Sequence, residues 1–489
     1  MSSERVLLRR GLYADSVTLM QVSREVSQAA GVQAALIGMA TRLNLELLVG
    51  MGFEVPAGDS PNELFIAVRA ADQAGVEAAA ALAEQLLSTP RRPSGGTDTA
   101  DQPPRTIGSA ATAARDRPRL ALISVPGQHA FTEAMDALDA GCDVLVFSDN
   151  VSVADEIRLK DAAAGRGLLV MGPDCGTAVV GGLGLGFSHT LDRGPVGLVA
   201  ASGTGAQQIL CLLDAAGVGI SAALGVGGRD LSEPVAGRST LAALAALDGD
   251  PGTDLIMVVS KPPAAPVAAR LREYAAGLST PVLFALLGPD EPDLTQATEA
   301  ALVRLAVPVP NWPAWVTSEA VGSGALRGLF CGGTLCDEAM LIASAALGEV
   351  RSNIALRPDW ALDAGLRWPG HQMIDFGEDA LTRGRAHPMI DPSLRNQHLR
   401  ELLEDPNTGV VLLDVLLGHG SHPDPVAELL PLVAAASVPV VVSLIGARRD
   451  RQQLESSAVR LHAAGASVFA SNAAATRHAL GLLATGGRT

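Results

Sequence analysis

The sequence predicts an α/β protein in which a small α/β unit precedes three successive parallel-sheet units. Three observations lead to this prediction. Short apolar runs alternate with helix-length segments, as in parallel sheets. The chain of 489 residues is long enough for three or four domains. Finally, one Gly-rich turn occurs twice in the same strand-to-helix setting.

The first unit is predicted at residues 1–88, with a ferredoxin-like βαβ pattern. Residues 89–117 are rich in Pro, Gly, Ser, Thr and Arg and predict a flexible linker. The expected strands of the first unit are at 6–9, 32–38 and 64–68, and its expected helices are at 15–30 and 76–87.

The parallel-sheet units are predicted at residues 118–192, 193–322 and 323–489. The last two share one layout, and the last carries an insert at 355–400 that is predicted as a long loop. Loops of that length inside a compact domain are usually functional. Ligands of parallel sheets bind beyond the carboxyl ends of the strands, so the site is expected in the segments that follow the strands.

The repeated pattern lies at residues 197–207 and 328–338, where an apolar run leads through a small-residue turn into a helix-like stretch. A helix N-terminus suits an anion because it carries free N–H groups and a partial positive charge. Two such helices facing one point would hold a phosphoryl or carboxylate group from both sides. The alternative is two ordinary turns in which Gly and Thr serve geometry and capping. The predicted substrate-binding residues here are Ser202, Gly203, Thr204, Gly205, Gly332, Gly333 and Thr334.

The insert holds the densest group of polar side chains in the chain. Arg383, Arg385 and Arg395 suit two-point binding of a carboxylate or phosphate. His387 suits general acid–base catalysis, and Asp375 lies nearby in the sequence. We therefore predict catalytic roles for Arg383, Arg385, His387 and Asp375. The alternative is a solvated loop with internal salt bridges.

Two further groups follow predicted strands at the end where a ligand is expected. Lys261 follows a strand at 255–260 and is predicted to be catalytic, as a partner of phosphate. Gly228 and Arg229 follow a strand at 222–226 and are predicted to bind substrate. The alternatives are a surface lysine, and an Arg229 that pairs with neighbouring elements.

Composition excludes several classes of function. The net charge of −16 argues against a general nucleic-acid surface. The chain has no run of about 18 uncharged apolar residues for a membrane span, and no apolar segment follows Arg9-Arg10 as in a signal peptide. The five cysteines include no CxxC pair and fit a reduced cytosol. A cytoplasmic protein is therefore expected.

Two weaker candidate sites are interpreted as structural. His419 and His422 have a spacing that could bind a metal, but no third ligand is evident, so a loop is favoured and no metal is expected. His129 and Cys175 would form a nucleophilic pair only if the fold joined them, and an inert cysteine is favoured.

Six segments, taken in order, match a known family over nearly the whole chain. They are MGPDCGT at 171–177, ASGTG at 201–205, GGRDLS at 227–232, VSKPP at 259–263, GGTL at 332–335 and RAHPMIDP at 385–392. In these segments the chain resembles the FdrA family, relatives of the succinyl-CoA synthetase subunits. The resemblance implies three Rossmann/flavodoxin-like domains: a CoA-binding-like domain, an α-type ligase domain and a β-type ligase domain. In the ligases, two helix N-termini cradle a phosphohistidine, and the helices that begin near Ser202 and Gly332 match those positions.

The chain also departs from the ligases. No histidine lies between His189 and His371, where the phosphohistidine would be expected. The Gly-rich turn of the CoA-binding domain is not recognisable, and no segment remains for an ATP-grasp domain. Members of the FdrA family are linked to anaerobic allantoin breakdown, as a component of oxamate carbamoyltransferase that works with partner proteins.

The favoured hypothesis is therefore a carbamoyltransferase subunit. Carbamoyl phosphate would lie between the two helix N-termini, and no cofactor would be needed. The acceptor would be a small amide or carboxylate. Two alternatives stay open: an acyl-CoA synthetase that binds CoA on residues 118–192 and uses an ATP-using partner, and a scaffold subunit that retained the ligase fold. The expected partners are other subunits of the same enzyme or further copies of the chain.

Overall fold

The computed structural model describes residues 3–10, 12, 14, 16–54, 63–88, 104, 106–113, 119–317, 322–382 and 386–483. These residues form four sheets: a three-stranded antiparallel sheet, a three-stranded parallel sheet, and two larger, mainly parallel sheets of six and seven strands. The predicted α/β class, with a small α/β unit before the parallel sheets, is confirmed. Within the described ranges, no helix has the length and apolar character needed to cross a membrane.

In the small N-terminal unit, the central strand of the sheet is the third strand in the sequence. The strand order is therefore β1-β3-β2. Two helices cover one face of the sheet, where Leu19, Val26, Ile66 and Ala83 are buried. A short helix that the sequence did not suggest begins after Thr41, which accepts a hydrogen bond from Asn44 N. The elements are β1 Ser3–Arg9, α1 Ser16–Ser27, β2 Val32–Met39, α2 Arg42–Gly50, β3 Leu64–Ala70 and α3 Gln73–Ser88.

The second unit is a parallel sheet in the order β4-β5-β6. It starts with a helix at 107–113 that falls inside the predicted linker and buries Ala111. Most of the remaining linker lies outside the described residues. The elements are α4 Ile107–Ala113, β4 Leu120–Ile123, α5 Gly127–Asp139, β5 Asp143–Val146, α6 Val153–Ala164 and β6 Val170–Met171.

The six-stranded sheet has the order β12-β11-β9-β10-β7-β8. Its first two strands in the sequence form an antiparallel hairpin within the range 118–192, and this hairpin hydrogen-bonds to β10. The elements are β7 Thr177–Val180, β8 Leu183–Gly186, β9 Arg193–Ala201, α7 Gly203–Ala215, β10 Ile220–Gly225, α8 Arg238–Asp248, β11 Leu255–Ser260, α9 Ala265–Ala275, β12 Val282–Leu286 and α10 Leu294–Arg304.

The seven-stranded sheet has the order β13-β19-β18-β17-β14-β16-β15, and only β13 is antiparallel to its neighbour. A single 3-10 turn at Pro358–Trp360 precedes β16. The elements are β13 Ala314–Trp315, β14 Ala325–Phe330, α11 Gly333–Leu347, β15 Arg351–Ser352, β16 Gln372–Asp375, α12 Asp379–Thr382, α13 Ser393–Glu404, β17 Thr408–Leu416, α14 Leu430–Ala434, β18 Val440–Ile445, α15 Leu454–Ala463, β19 Ser467–Phe469 and α16 Asn472–Gly481.

The interpretation of residues 355–400 as a long loop is wrong for the described part of this range. Strand β16 pairs in parallel with β14 and is fully buried, and α13 occupies the end of the range. The sequence signal was weak because β16 is only four residues long and has a polar residue at each end. Asp375 is therefore placed by a sheet, at the end of β16.

Helices from the two large sheets meet in one continuous core. Helices α7 and α10 of the six-stranded sheet pack against α11 and α16 of the seven-stranded sheet, so that Leu210, Leu213, Met340 and Ala479 share a single apolar cluster. Because α7 follows β9 and α11 follows β14, this packing brings the two Gly-rich turns together.

Candidate active site

The two predicted anion-binding turns touch each other. Ser202 caps α7 by accepting a hydrogen bond from Gly205 N at 3.0 Å, and its Oγ lies 2.6 Å from Thr334 Oγ1 in the first turn of α11. Both side chains are buried. A methyl group added at Gly332 would lie 2.8 Å from Thr204 Cβ, which leaves no room for any larger residue. The helix N-termini therefore converge, as the repeated pattern predicted.

The open side of this junction carries backbone N–H groups. Gly203 is exposed, while Thr204 and Gly333 are half-buried. Helix geometry leaves the first N–H groups of α7 and α11 without an intrahelical acceptor. Among the described residues, no hydrogen bond uses the N–H groups of Gly203, Thr204 or Gly333. The junction thus offers unpaired donors and two aligned helix dipoles to an anion.

A buried carboxylate holds the turn that leads into α11. Asp414, in the middle of β17, accepts Cys331 N at 2.6 Å and Gly332 N at 2.8 Å. Arg395 donates to Asp414 O at 2.7 Å, so this arginine supports the turn. Burial raises the pKa of Asp414 to about 6, partly offset by the Arg395 charge. Sequence reasoning missed Asp414 as a site residue, although a lone acid in an apolar strand was a usable signal.

Lys261 lies beside the N-terminus of α11, as its place after β11 suggested. Its Nζ is 3.5 Å from Asp337 Oδ2 and would lie 2.8 Å from a methyl group at Gly333. Burial alone would lower the pKa of Lys261, but the carboxylates of Asp337 and Asp375 reverse this effect, and the net pKa is raised. Lys261 therefore carries a full positive charge next to the unpaired N–H groups, although its side chain remains 43% exposed.

Asp375 ends β16 on the same side of α11. Its Oδ2 would lie 2.7 Å from a methyl group at Gly333, and its Oδ1 accepts Gly377 N at 2.8 Å. Asn353 fixes the backbone by accepting Asp375 N and donating to Asp375 O. Burial raises the pKa of Asp375 to about 7, against the opposing charge of Lys261. The carboxyl group of Asp375 therefore titrates near neutral pH.

His387 lies within reach of the same carboxyl group. A methyl group added at Gly377 would lie 2.8 Å from His387 Nε2 and 3.1 Å from Asp375 Oδ1. His387 Nδ1 accepts Met389 N at 3.3 Å, so the proton of the neutral ring is on Nε2. Burial lowers the pKa of His387 to about 4. At neutral pH the ring is therefore an uncharged donor. The predicted partners Arg383 and Arg385 lie outside the described residues.

Arg229 is engaged by the second unit. Its Nη2 lies 2.9 Å from both Glu156 Oε2 and Val151 O. Gly228 is exposed, with open space around it. Arg229 thus follows the alternative of pairing with a neighbouring element.

The other lysine of the chain, Lys160, is buried and has a structural role. Lys160 Nζ lies 2.7 Å from Glu156 and from Asp230, and donates to Val226 O. Asp230 also accepts Thr240 N at the start of α8. This cluster therefore ties α6 of the second unit to the six-stranded sheet.

The weaker candidates stay separate from this site. Burial raises the pKa of Cys175 to about 12, so its thiol is protonated and unreactive at neutral pH. His422 Nδ1 accepts a hydrogen bond from Asp424 N at 2.9 Å, and the backbone N–H of His422 donates to Met389 O at 2.8 Å. In the part of the chain that the structure covers, no group of three or more His, Cys, Asp or Glu residues could hold a metal ion.

The fold is that of the CoA-ligase and succinyl-CoA synthetase-like proteins, with mainly parallel sheets behind a small α/β unit. The CoA-ligase family model matches residues 329–482, which include α11, β16 and β17. The uncharacterized protein YahF of Escherichia coli (strain K12) is 37% identical over 457 residues, which cover 89% of this chain and 88% of YahF. The chain therefore belongs to the same succinyl-CoA synthetase-like family as YahF.

The chain is also similar to two more distant proteins. The alpha subunit of the ADP-forming succinate–CoA ligase of Methanothermobacter thermautotrophicus is 28% identical over 174 residues, which cover 35% of this chain and 58% of that subunit. The dinucleotide-forming acetyl-coenzyme A synthetase 1 of Ca. Korarchaeum cryptofilum, solved with phosphate and ADP, aligns at 16% identity over 80% of this chain and 89% of the other, with a TM-score of 0.31.

The N-terminal unit matches a different family model. Residues 1–103 match the heavy metal-associated domain of AllF. The sequence of this range contains neither cysteine nor histidine, since the first of either is His129. Soft metal ions prefer thiolate or imidazole ligands. This range therefore lacks the thiolate and imidazole donors of that kind.

Proposed function

We propose that this chain catalyses transfer of an acyl-type group to or from phosphate, at the junction of α7 and α11. The single observation that carries this proposal is the convergence of two helix N-termini beside a charged lysine. Gly203 and Gly333 begin the two helices whose first turns touch, and the ammonium group of Lys261 lies beside Gly333. Preorganised donors of this kind stabilise the charge that develops on a departing phosphate.

The proton transfer would fall to Asp375. With a pKa of about 7 it is partly ionised at neutral pH and can accept a proton from an attacking nucleophile. His387 Nε2 is on the same side and can donate a hydrogen bond to a carbonyl oxygen or to the acceptor. Lys261 and Asp375 both approach Gly333, so the proton acceptor and the phosphate-binding cation are adjacent.

In its specific form, the proposal is carbamoyl transfer. A nitrogen of a small amide acceptor, such as oxamate, attacks the carbonyl carbon of carbamoyl phosphate. The carbon–oxygen bond to phosphate breaks, phosphate leaves into the helix N-termini, and the acceptor proton passes to Asp375. This reaction needs no phosphohistidine, in keeping with the lack of histidine between His189 and His371. The AllF-type domain at residues 1–103 supports a link to allantoin breakdown.

The second candidate is an acyl-CoA ligase activity, with CoA on the second unit and an ATP-using partner subunit. The CoA-ligase family match and the ligase relatives support this candidate more directly than carbamoyl transfer. One feature of the sequence opposes it. No histidine lies between His189 and His371, where the ligases would carry the phosphohistidine.

Ligand-induced thermal stabilisation distinguishes the candidates. The purified chain is heated with carbamoyl phosphate, with CoA and with inorganic phosphate, alongside a Lys261→Met variant. A ligand at about 100 times its dissociation constant stabilises by roughly 2.7 kcal/mol. Stabilisation by carbamoyl phosphate that is lost in Lys261→Met supports carbamoyl transfer, and stabilisation by CoA alone supports the ligase. No response to any of the three, with partner proteins also present, would contradict the proposal and favour a scaffold subunit.

A further inference from the structure

An arginine of the small N-terminal unit reaches the segment that carries His387. Arg24, in the last turn of α1, donates to Ile390 O at 2.6 Å and to Glu428 Oε1 at 2.8 Å. Its side chain is only 11% exposed, and its Nε lies 4.0 Å from Asp391 Oδ1. A charged side chain that is this well buried is costly unless its partners are in place. The contact therefore specifies how the two units fit together.

The target of Arg24 is a single tight turn that begins at His387. Ile390 N and Asp391 N both donate to His387 O, at 2.7 Å and 3.0 Å, and Met389 N donates to His387 Nδ1. Arg24 binds the carbonyl of Ile390 at the far end of this turn. This turn orients the imidazole ring of His387, whose Nε2 lies on the side of Asp375. The far end of the turn is bound by Arg24, which belongs to the N-terminal unit.

The other end of the contact is rigid. Ser23, next to Arg24, donates to Ile37 O and accepts Ile37 N, so α1 is fastened to β2 at this point. Val22 and Val26 on the same helix are buried in the core of the N-terminal unit. Glu428, the second partner of Arg24, also accepts from Asn396 of α13. Arg24 therefore joins the packed N-terminal unit to a segment that is itself hydrogen-bonded to α13.

We infer that the N-terminal unit serves to position the His387 turn, with Arg24 as the positioning residue. The contact that this unit makes with the His387 turn is the one through Arg24, to Ile390 O and Glu428 Oε1. The inference rests on the proposed function only in placing His387 at the site. The physical link between Arg24 and the turn stands on the contacts alone.

Hydrogen exchange on the full-length protein tests the link directly. In Arg24→Ala, the amides of residues 389–391 should exchange roughly tenfold faster, because a charge-assisted hydrogen bond to the turn is lost. The matched control is Arg69→Ala. Arg69 is also in the N-terminal unit, and its recorded partners lie within that unit: Glu4, the backbone of Met51 and Gly52, and the ring of Phe53. Unchanged exchange in Arg24→Ala, or equal acceleration in Arg69→Ala, would overturn the inference.

Turnover measured on the same two variants, with any partner subunits present, separates the inference from the proposed function. We expect kcat of Arg24→Ala to fall roughly tenfold with KM nearly unchanged, partial recovery in Arg24→Lys, and no loss in Arg69→Ala. Faster exchange with wild-type kcat would uphold the link and overturn the assignment of His387 to the active site.

Discussion

The hydroxyl groups of Ser202 and Thr334 lie 2.6 Å apart, although 132 residues separate them in the chain. Each hydroxyl belongs to the start of a helix that follows a parallel strand, one in each of the two large sheets. Their contact means that the two helix N-termini cannot separate without breaking a buried hydrogen bond. The two helix N-termini are therefore held at a constant separation. The proposed anion site depends on this separation.

The close approach of the two turns predicts that Gly332→Ala is destabilising. The added methyl group would lie 2.8 Å from Thr204 Cβ, and overpacking of this kind costs about 1–3 kcal/mol. Urea denaturation measures the loss, and binding of carbamoyl phosphate should weaken in parallel. The control is Gly277→Ala, where the methyl group would lie 3.5 Å from Tyr274 O. Equal stability of the two variants would contradict the tight junction.

Lys261 should control the pH dependence of turnover. Its charge opposes the effect of burial on Asp375, whose pKa is about 7. In Lys261→Met the pKa of Asp375 should rise, so turnover that needs the ionised carboxylate should begin at higher pH. Lys261→Arg keeps the charge and should keep the profile close to that of the wild type. A profile of kcat against pH that is identical in Lys261→Met would remove Asp375 as the proton acceptor.

The buried carboxyl of Glu338 should make stability fall as pH rises. Burial raises its pKa from 4.5 to about 7, although Asn472 and Leu294 N donate to it. Between these two pH values only the unfolded state has lost its proton, so the free energy of unfolding decreases as pH increases. The contribution of Glu338 is on the order of 2 kcal/mol.

Glu338→Gln should remove the contribution of Glu338 to the pH dependence of the free energy of unfolding. Urea denaturation from pH 4.5 to 8 measures this change. Asp375 and Asp414 have raised pKa values of about 7 and about 6 and act in the same direction, so part of the slope should remain. The exposed Glu273→Gln serves as the control. A slope unchanged in Glu338→Gln would show that Glu338 is ionised in the folded protein.

His387 should contribute to kcat without changing its protonation state near neutral pH. Because burial holds its pKa at about 4, the ring is neutral from pH 5 to 8. His387→Gln should reduce kcat roughly tenfold through loss of a hydrogen bond, while the shape of the pH profile across this range stays the same. His462→Gln, on α15, is the matched control. A profile that loses an inflection between pH 5 and 8 in His387→Gln would show that the histidine itself titrates there.

Much of the fold could be predicted because its signals are local. The apolar runs that became β9, β11, β14 and β17 are long enough to show their pattern, and the two Gly-rich turns mark where α7 and α11 begin. Helix α2 and strand β16 were missed because each is short and carries little periodic signal. The hairpin β7–β8 could not be assigned to the six-stranded sheet, since only its pairing with β10 shows where it belongs.

The sequence by itself determined the α/β class, the repeated Gly-rich turn and the placement of Lys261 after a strand, because each depends on neighbours within a few residues. Only the tertiary structure decided that the two turns meet, that Asp414 binds the turn before α11, and that Arg24 reaches a carbonyl 366 residues away. These relationships depend on how whole sheets pack. Packing is set by the summed contacts of many side chains, and no local pattern in the sequence records that sum.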